Sequence, residues 1–254
     1  MIRNSLIREM SFKANFLLWI LVEVCWFAGQ MIFLEVIYGH VETIGGWTKW
    51  ECVLLIGVHQ IIGQIFQAFF YVNLAELPDL IRTGRLDLML LLPVDAQFAV
   101  STRKFGLDNV INVLVGIAIV VLSLTNLRIV PDYLHVLLFC LAIPFGVAVH
   151  YSVLFGLSVG AFWIIRAQGM IFGYFNIFNA GRYPDTVFRG AFKVLFTYFI
   201  PVILVANVPA RILCRPWESP WLGLGELAGA ALFIFGATRL FWLFALRRYA
   251  SASS

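Results

Sequence analysis

AELPDLIRTGRLDLMLLLPVDAQF, residues Ala75–Phe98, decides how this chain is organised. Its first half is crowded with Glu76, Asp79, Arg82, Arg85 and Asp87; its second half is the almost unbroken apolar run Leu86–Leu92, stopped by Pro93. A bilayer crossing takes about 20 mostly apolar residues. The segment is too short and too charged for that, and too apolar for an ordinary solvated loop. It reads as a place where a membrane-spanning chain surfaces between two crossings.

The composition agrees. Of 254 residues, 61% are hydrophobic and 13% charged, with mean hydropathy +0.90. Soluble domains carry roughly 45–50% apolar and about 25% charged residues. The net charge of +4 forms no basic patch, which argues against a nucleic-acid partner. Cys25, Cys52, Cys140 and Cys214 lie in or beside apolar runs with neither disulfide-scaffold nor zinc spacing, so no metal site is expected. The basic, then apolar N-terminus resembles a signal peptide, but its apolar run passes Glu23 without a small-residue cleavage site; it reads as a retained first span.

Apolar runs of spanning length place about six transmembrane helices near 14–38, 52–72, 107–125, 134–165, 191–208 and 222–246, with the charged segment 75–98 between the second and third. The expected fold is all-α and polytopic, one membrane domain over 1–254. Basic residues divide unevenly between the two sides. Arg3, Arg8, Lys13, Arg82, Arg85, Arg103, Lys104, Arg166, Arg182, Arg189, Lys193, Arg247 and Arg248 fall on one, and Lys49, Arg128, Arg211 and Arg215 on the other. Basic loops stay cytoplasmic, so both termini and the 75–98 segment are expected there.

On a helix, Leu77, Leu80 or Ile81, Gly84, Leu88 and Leu91 form one apolar stripe, while most of the charges point elsewhere. Pro78 fits a first turn, and Pro93 ends or kinks the helix. Such an amphipathic helix either anchors the loop in the headgroups or docks a soluble partner. Its mixed charges suit a protein better than an anionic lipid surface.

The stretch Gly84, Leu86, Asp87, Leu88–Leu92, Pro93 resembles the cytoplasmic signature of the type-2 ATP-binding-cassette (ABC) exporter permeases. A second stretch, Arg182, Tyr183, Pro184, then Pro201 in mid-span and Pro209–Ala210 closing it, resembles the same family. The resemblance implies a six-span permease subunit in a bacterial plasma (inner) membrane, paired with a second permease, the same or homologous. It also implies a separate ATPase dimer docked on a coupling helix formed by Glu76, Asp79, Arg82, Gly84, Arg85, Leu86, Asp87 and Pro93. ATP and Mg would sit on that ATPase, and this chain would break no covalent bond. Consistent with this, no G-x-x-x-x-G-K-[ST] is present.

Polar residues inside spans need a reason. Gln60, Gln64 and Gln67 share one helical face beside His59, and Glu23 and Gln30 share another. Interhelical hydrogen bonding would explain the glutamines; so would a polar path between permease subunits for an amphipathic substrate such as a drug or a lipid. Glu23 would be neutral, paired or water-facing, and as a coupling carboxylate it would suit an ion- or proton-coupled carrier. Against the carrier, no inverted repeat of broken helices is seen. Against an intramembrane enzyme, no His-Glu-x-x-His motif or paired aspartates occur. The G-x-x-x-G pairs Gly156/Gly160 and Gly225/Gly229 suggest close helix packing, and Pro209–Pro220 a partly re-entrant cap or a plain loop.

Overall fold

The structure, a computed structural model, describes residues 13–164, 168–215 and 218–249. Arg3, Arg8 and Arg166 lie outside these, as does the side chain of Glu23. The described residues form helices α1 (Lys13–Tyr38), α2 (Lys49–Arg82), α3 (Leu86–Leu90), α4 (Ala96–Ser101) and α5 (Leu107–Leu127). They continue with α6 (Tyr133–Phe162), α7 (Gln168–Asn179), α8 (Gly190–Phe199), α9 (Val202–Cys214) and α10 (Pro220–Arg247). Four of them, α2, α5, α6 and α10, are individually long and apolar enough to cross a membrane; α1 carries the shorter apolar stretch Cys25–Tyr38. The chain is a polytopic all-α membrane protein.

The helix α2 fixes the frame. The backbone N–H of Thr48 donates to Glu51 at 2.7 Å and closes its first turn. At 1.5 Å per residue its 34 residues span about 51 Å, well beyond a hydrocarbon core of about 30 Å. It is therefore long enough for its charged last turns, from Glu76 on, to lie outside the hydrocarbon. At Gln67–Tyr71 the helix widens into a π-turn. The Ala68 carbonyl is satisfied there from outside, by the Gly106 N–H at 2.9 Å.

The segment 75–98 differs from the expected single helix. The end of α2 (Leu77–Arg82) and α3 are separate, broken at Gly84, whose φ of 69° lies in the left-handed region that glycine enters freely. Leu77, Leu80, Ile81 and Leu86 are buried, but Leu88 and Leu91 are 64% and 81% exposed. The apolar stripe thus stops at Leu86.

A second difference concerns the fifth apolar run. Where one span was expected over 191–208, α8 and α9 meet at 82° around Pro201. Both ends of this pair reach the loop between α1 and α2, here called the loop side. Before α8, Thr186 Oγ1 donates to the Gly45 carbonyl at 2.7 Å. After α9, Arg215 reaches the Gly46 carbonyl at 3.1 Å and Glu51 at 3.0 Å. The pair is a re-entrant hairpin. The crossing belongs instead to α7 and the turn after it, which pack on α6 through Tyr174 and Phe178 against His150. Arg189 consequently moves to the loop side, while Arg182 lies in the turn after α7 and Lys193 within α8, and the basic asymmetry narrows without reversing. The re-entrant element begins well before the segment 209–220; Pro209 lies inside α9.

The hairpin has a direct test. In a cysteine-free background, Val187→Cys, 47% exposed, is expected to react with an impermeant maleimide from the same side as Glu42→Cys. Thr83→Cys should react only from the opposite side.

The helices α2 and α5 pack closely at glycines. A Cβ on Gly57 would lie 2.9 Å from Ile119, and one on Gly116 2.8 Å from Ile61. The expected G-x-x-x-G pairs contribute less: a Cβ on Gly156 or Gly160 would make only ordinary contacts, and one on Gly225 or Gly229 would meet nothing within 4 Å.

Candidate functional site

The projecting end of α2 is held rigid by a strap. Asn73 Oδ1 accepts from the Lys104 N–H at 2.8 Å, and its Nδ2 donates to the Lys104 carbonyl at 2.9 Å. Arg103 donates to the Asn73 carbonyl at 3.1 Å and pairs with Glu76 at 3.5 Å; Lys104 pairs with Glu76 as well. Glu76 is therefore occupied inside the protein. Beyond it, Asp79 and Arg82 pair at 3.3 Å on an exposed surface, and Arg85 Nε donates to Thr83 Oγ1 at 3.0 Å. Leu86 is buried beneath them. Asp87 is half-buried and meets Tyr249, whose phenol is held above its usual range by burial and by that carboxylate. Pro93 lies between α3 and α4.

From there a polar network runs into the bundle. Asp95 caps α4, accepting from the Phe98 N–H at 3.1 Å. Arg239 of α10 grips the Asp95 carboxylate with both terminal nitrogens and donates to Gln97 Oε1 at 2.9 Å. Gln97 donates to the Tyr151 hydroxyl of α6 at 2.9 Å, and Ser101 meets the same hydroxyl at 2.8 Å. The Arg239 hydrogen bonds hold the Asp95 carboxyl below the usual carboxylate range. Arg239 escaped the sequence reading: it is a lone cation in an apolar run, and its partner is 144 residues away.

A cleft between α1, α2 and α7 gathers the other expected residues. Gln60, Gln64 and Gln67 line one cavity of about 320 Å³ together with His59 and His150, and Gln30 faces them from α1. The arrangement also brings in Arg182, which the sequence suggested only as part of a motif. Its guanidinium meets Gln30 Oε1 at 3.4 Å and Asn179 Oδ1, and sits 6.0 Å from the Trp26 ring. Tyr183 and Pro184 carry the chain on to the loop side. There the Tyr183 carbonyl accepts from Asn207 at 3.1 Å, and Asp185 pairs with Arg211 at 2.6 Å. Among the described residues no cluster of His, Cys, Asp or Glu could hold a metal ion.

Against known families, the model for the ABC-2 family transporter protein matches residues 24–253, nearly the whole chain. The chain belongs to the ABC-2 transporter family. No curated protein and no solved structure matches it significantly. ABC-2 membrane proteins are non-catalytic transmembrane subunits, and membership implies an ABC ATPase as partner. The absence of a phosphate-binding loop from the sequence is in keeping with that division of labour.

Proposed function

We propose that this ABC-2 chain is the permease subunit of an ATP-driven exporter and carries an amphipathic substrate out of the cytoplasm or the inner leaflet. One observation supports this above the others. The end of α2 is a rigid, projecting extension of a membrane-crossing helix, strapped by Asn73, Arg103 and Lys104, that presents Arg82 and Arg85 to solvent. A charged surface on a stiff lever is what a soluble motor needs to push on.

In this reading the lever side is cytoplasmic in a bacterial plasma membrane, with both termini there. ATP and Mg bind a separate ATPase dimer, which closes on the lever. A second permease subunit, the same or homologous, completes the path. The glutamine-lined cleft is the part of that path contributed by this chain.

The test is co-purification of the tagged full-length chain, expressed with its neighbouring genes, in mild detergent. An ATPase is expected with the wild type. Arg82→Glu combined with Arg85→Glu should reduce its retention about tenfold or more, since like charges placed across an interface cost several kcal/mol. Asp87 is a poorer choice, because it also meets Tyr249. Failure of any ATPase to co-purify would overturn the reading.

A further inference from the structure

We propose that the cleft between α1, α2 and α7 binds an amphiphile with an anionic head, and that Arg182 reads the charge. Calling that ligand the transported substrate rests on the exporter reading; its binding does not.

The cleft has two arms. The polar arm is the cavity of about 320 Å³ that holds the glutamines. Beside it lies an apolar arm of about 280 Å³, running along Cys25, Gly29, Phe33, Leu34 and Ile37 of α1. Trp26, Gln30, Ile56 and Arg182 border both, so the arms adjoin, and Arg182 stands where they meet. The first helix touches the rest of the bundle at few points, and Trp26 is 59% exposed. A ligand can therefore enter sideways from the bilayer.

Among the described residues, nothing compensates the charge of Arg182. A guanidinium stays protonated in proteins. Its partners here, Gln30 and Asn179, are neutral, and among the described residues no carboxylate pairs with it. Its Nε is buried without a hydrogen-bond partner, and so are His59 Nδ1 and His150 Nε2. The Arg182 Nε–H, always a donor, is thus left without an acceptor, while the two ring nitrogens donate or accept according to tautomer. No carboxylate among the described residues lines the polar arm, so a cationic head would meet Arg182 with nothing to offset it. A phosphate, sulfate or carboxylate would pair with the fork of Arg182 and take donors from the amides around it. The attached tail would lie along Gly29 and Phe33, where apolar surface leaves water.

The probes are dodecyl phosphate, dodecyltrimethylammonium and inorganic phosphate, titrated into the full-length chain in maltoside detergent and read by thermal shift. Dodecyl phosphate is expected to bind about tenfold or more tightly than the trimethylammonium, the scale of one charge-assisted hydrogen bond. Inorganic phosphate alone should give no shift. Arg182→Gln should abolish the preference, and Arg182→Lys should keep part of it. Gly29→Leu tests the apolar arm without disturbing Arg182. A Cβ at Gly29 meets nothing within 4 Å, so the variant folds freely, yet its side chain fills the tail's path and should weaken dodecyl phosphate binding.

Equal binding of the two charged probes, or a preference that survives Arg182→Gln, would overturn the proposal. So would a full shift with phosphate alone. Retention of phosphatidate over phosphatidylcholine from mixed nanodiscs, read by mass spectrometry, would assign the ligand to the bilayer. Dodecyl phosphate binding without such retention would assign it to single-chain amphiphiles. Whether an ATPase co-purifies is scored in the same preparations, so loss of the motor and loss of the site are seen separately.

Discussion

In Arg239→Met the ATPase remains bound, but substrate movement falls about tenfold or more, the size of a typical coupling free energy. The reason lies in what Arg239 joins. It holds Asp95 and Gln97, at the start of α4, to α10, and Gln97 passes the connection to Tyr151 of α6. As an isolated ion pair the contact would be weak, because the two side chains are 34% and 47% exposed. Its strength comes from the network, in which removing one member leaves Gln97 and Asp95 short of partners at about 1–3 kcal/mol. Arg82 and Arg85 are untouched, so docking is preserved while the lever loses its grip on the two far helices. ATPase retention together with substrate flux in reconstituted vesicles checks this; parallel loss of both would show that Arg239 serves assembly instead. The link does not depend on pH near neutrality. The Asp95 carboxyl titrates below the ordinary value of about 3.9, so its stabilisation is full above that value and is lost only as pH falls through the lower, folded one.

Trp47→Ala is expected to cost about 3–5 kcal/mol in unfolding, the range for a large buried aromatic. Trp47 is fully buried in the loop between α1 and α2. Arg215 lies 4.7 Å and Arg211 5.9 Å from its ring, so one indole seats both cations at the end of the re-entrant hairpin. Its carbonyl also accepts from the Tyr38 hydroxyl at 2.9 Å. Trp47→Phe keeps a ring under the cations and should lose much less. Glu51→Gln should fall between them, since it leaves Arg215 its seat and removes the carboxylate 3.0 Å from Nε. Thermal unfolding in detergent ranks the three; an alanine variant as stable as the phenylalanine one would refute the role of the ring.

Hydropathy revealed the membrane class and the four long apolar helices α2, α5, α6 and α10, because burial in lipid requires apolar length whatever the detailed packing. It misread the fifth run for the same reason. Residues of α8 and α9 are apolar because they sit in the membrane, and composition records depth, not direction of travel. The deciding contacts, Asp185 with Arg211 and Thr186 with Gly45, join residues 26 and 141 positions apart. Gln60, Gln64 and Gln67 were legible because helical spacing alone puts them on one face. Arg182 reached their cavity only through the course of α7, which no local pattern foretold. Gly84 was legible as a motif residue but not as a break, since a glycine within an amphipathic pattern is compatible with either.

The hairpin also bears on how the topology of this chain can be mapped. A re-entrant pair contributes no crossing, and α7 contributes one. The reading with a span at 191–208 and none in α7 has the same parity. Reporters fused to the two ends would give identical answers for both arrangements. Only the stretch between Arg182 and Gly190 changes sides, so a topology built from terminal reporters, or from tallying basic residues, inverts the surface on which Tyr183 and Asp185 are displayed.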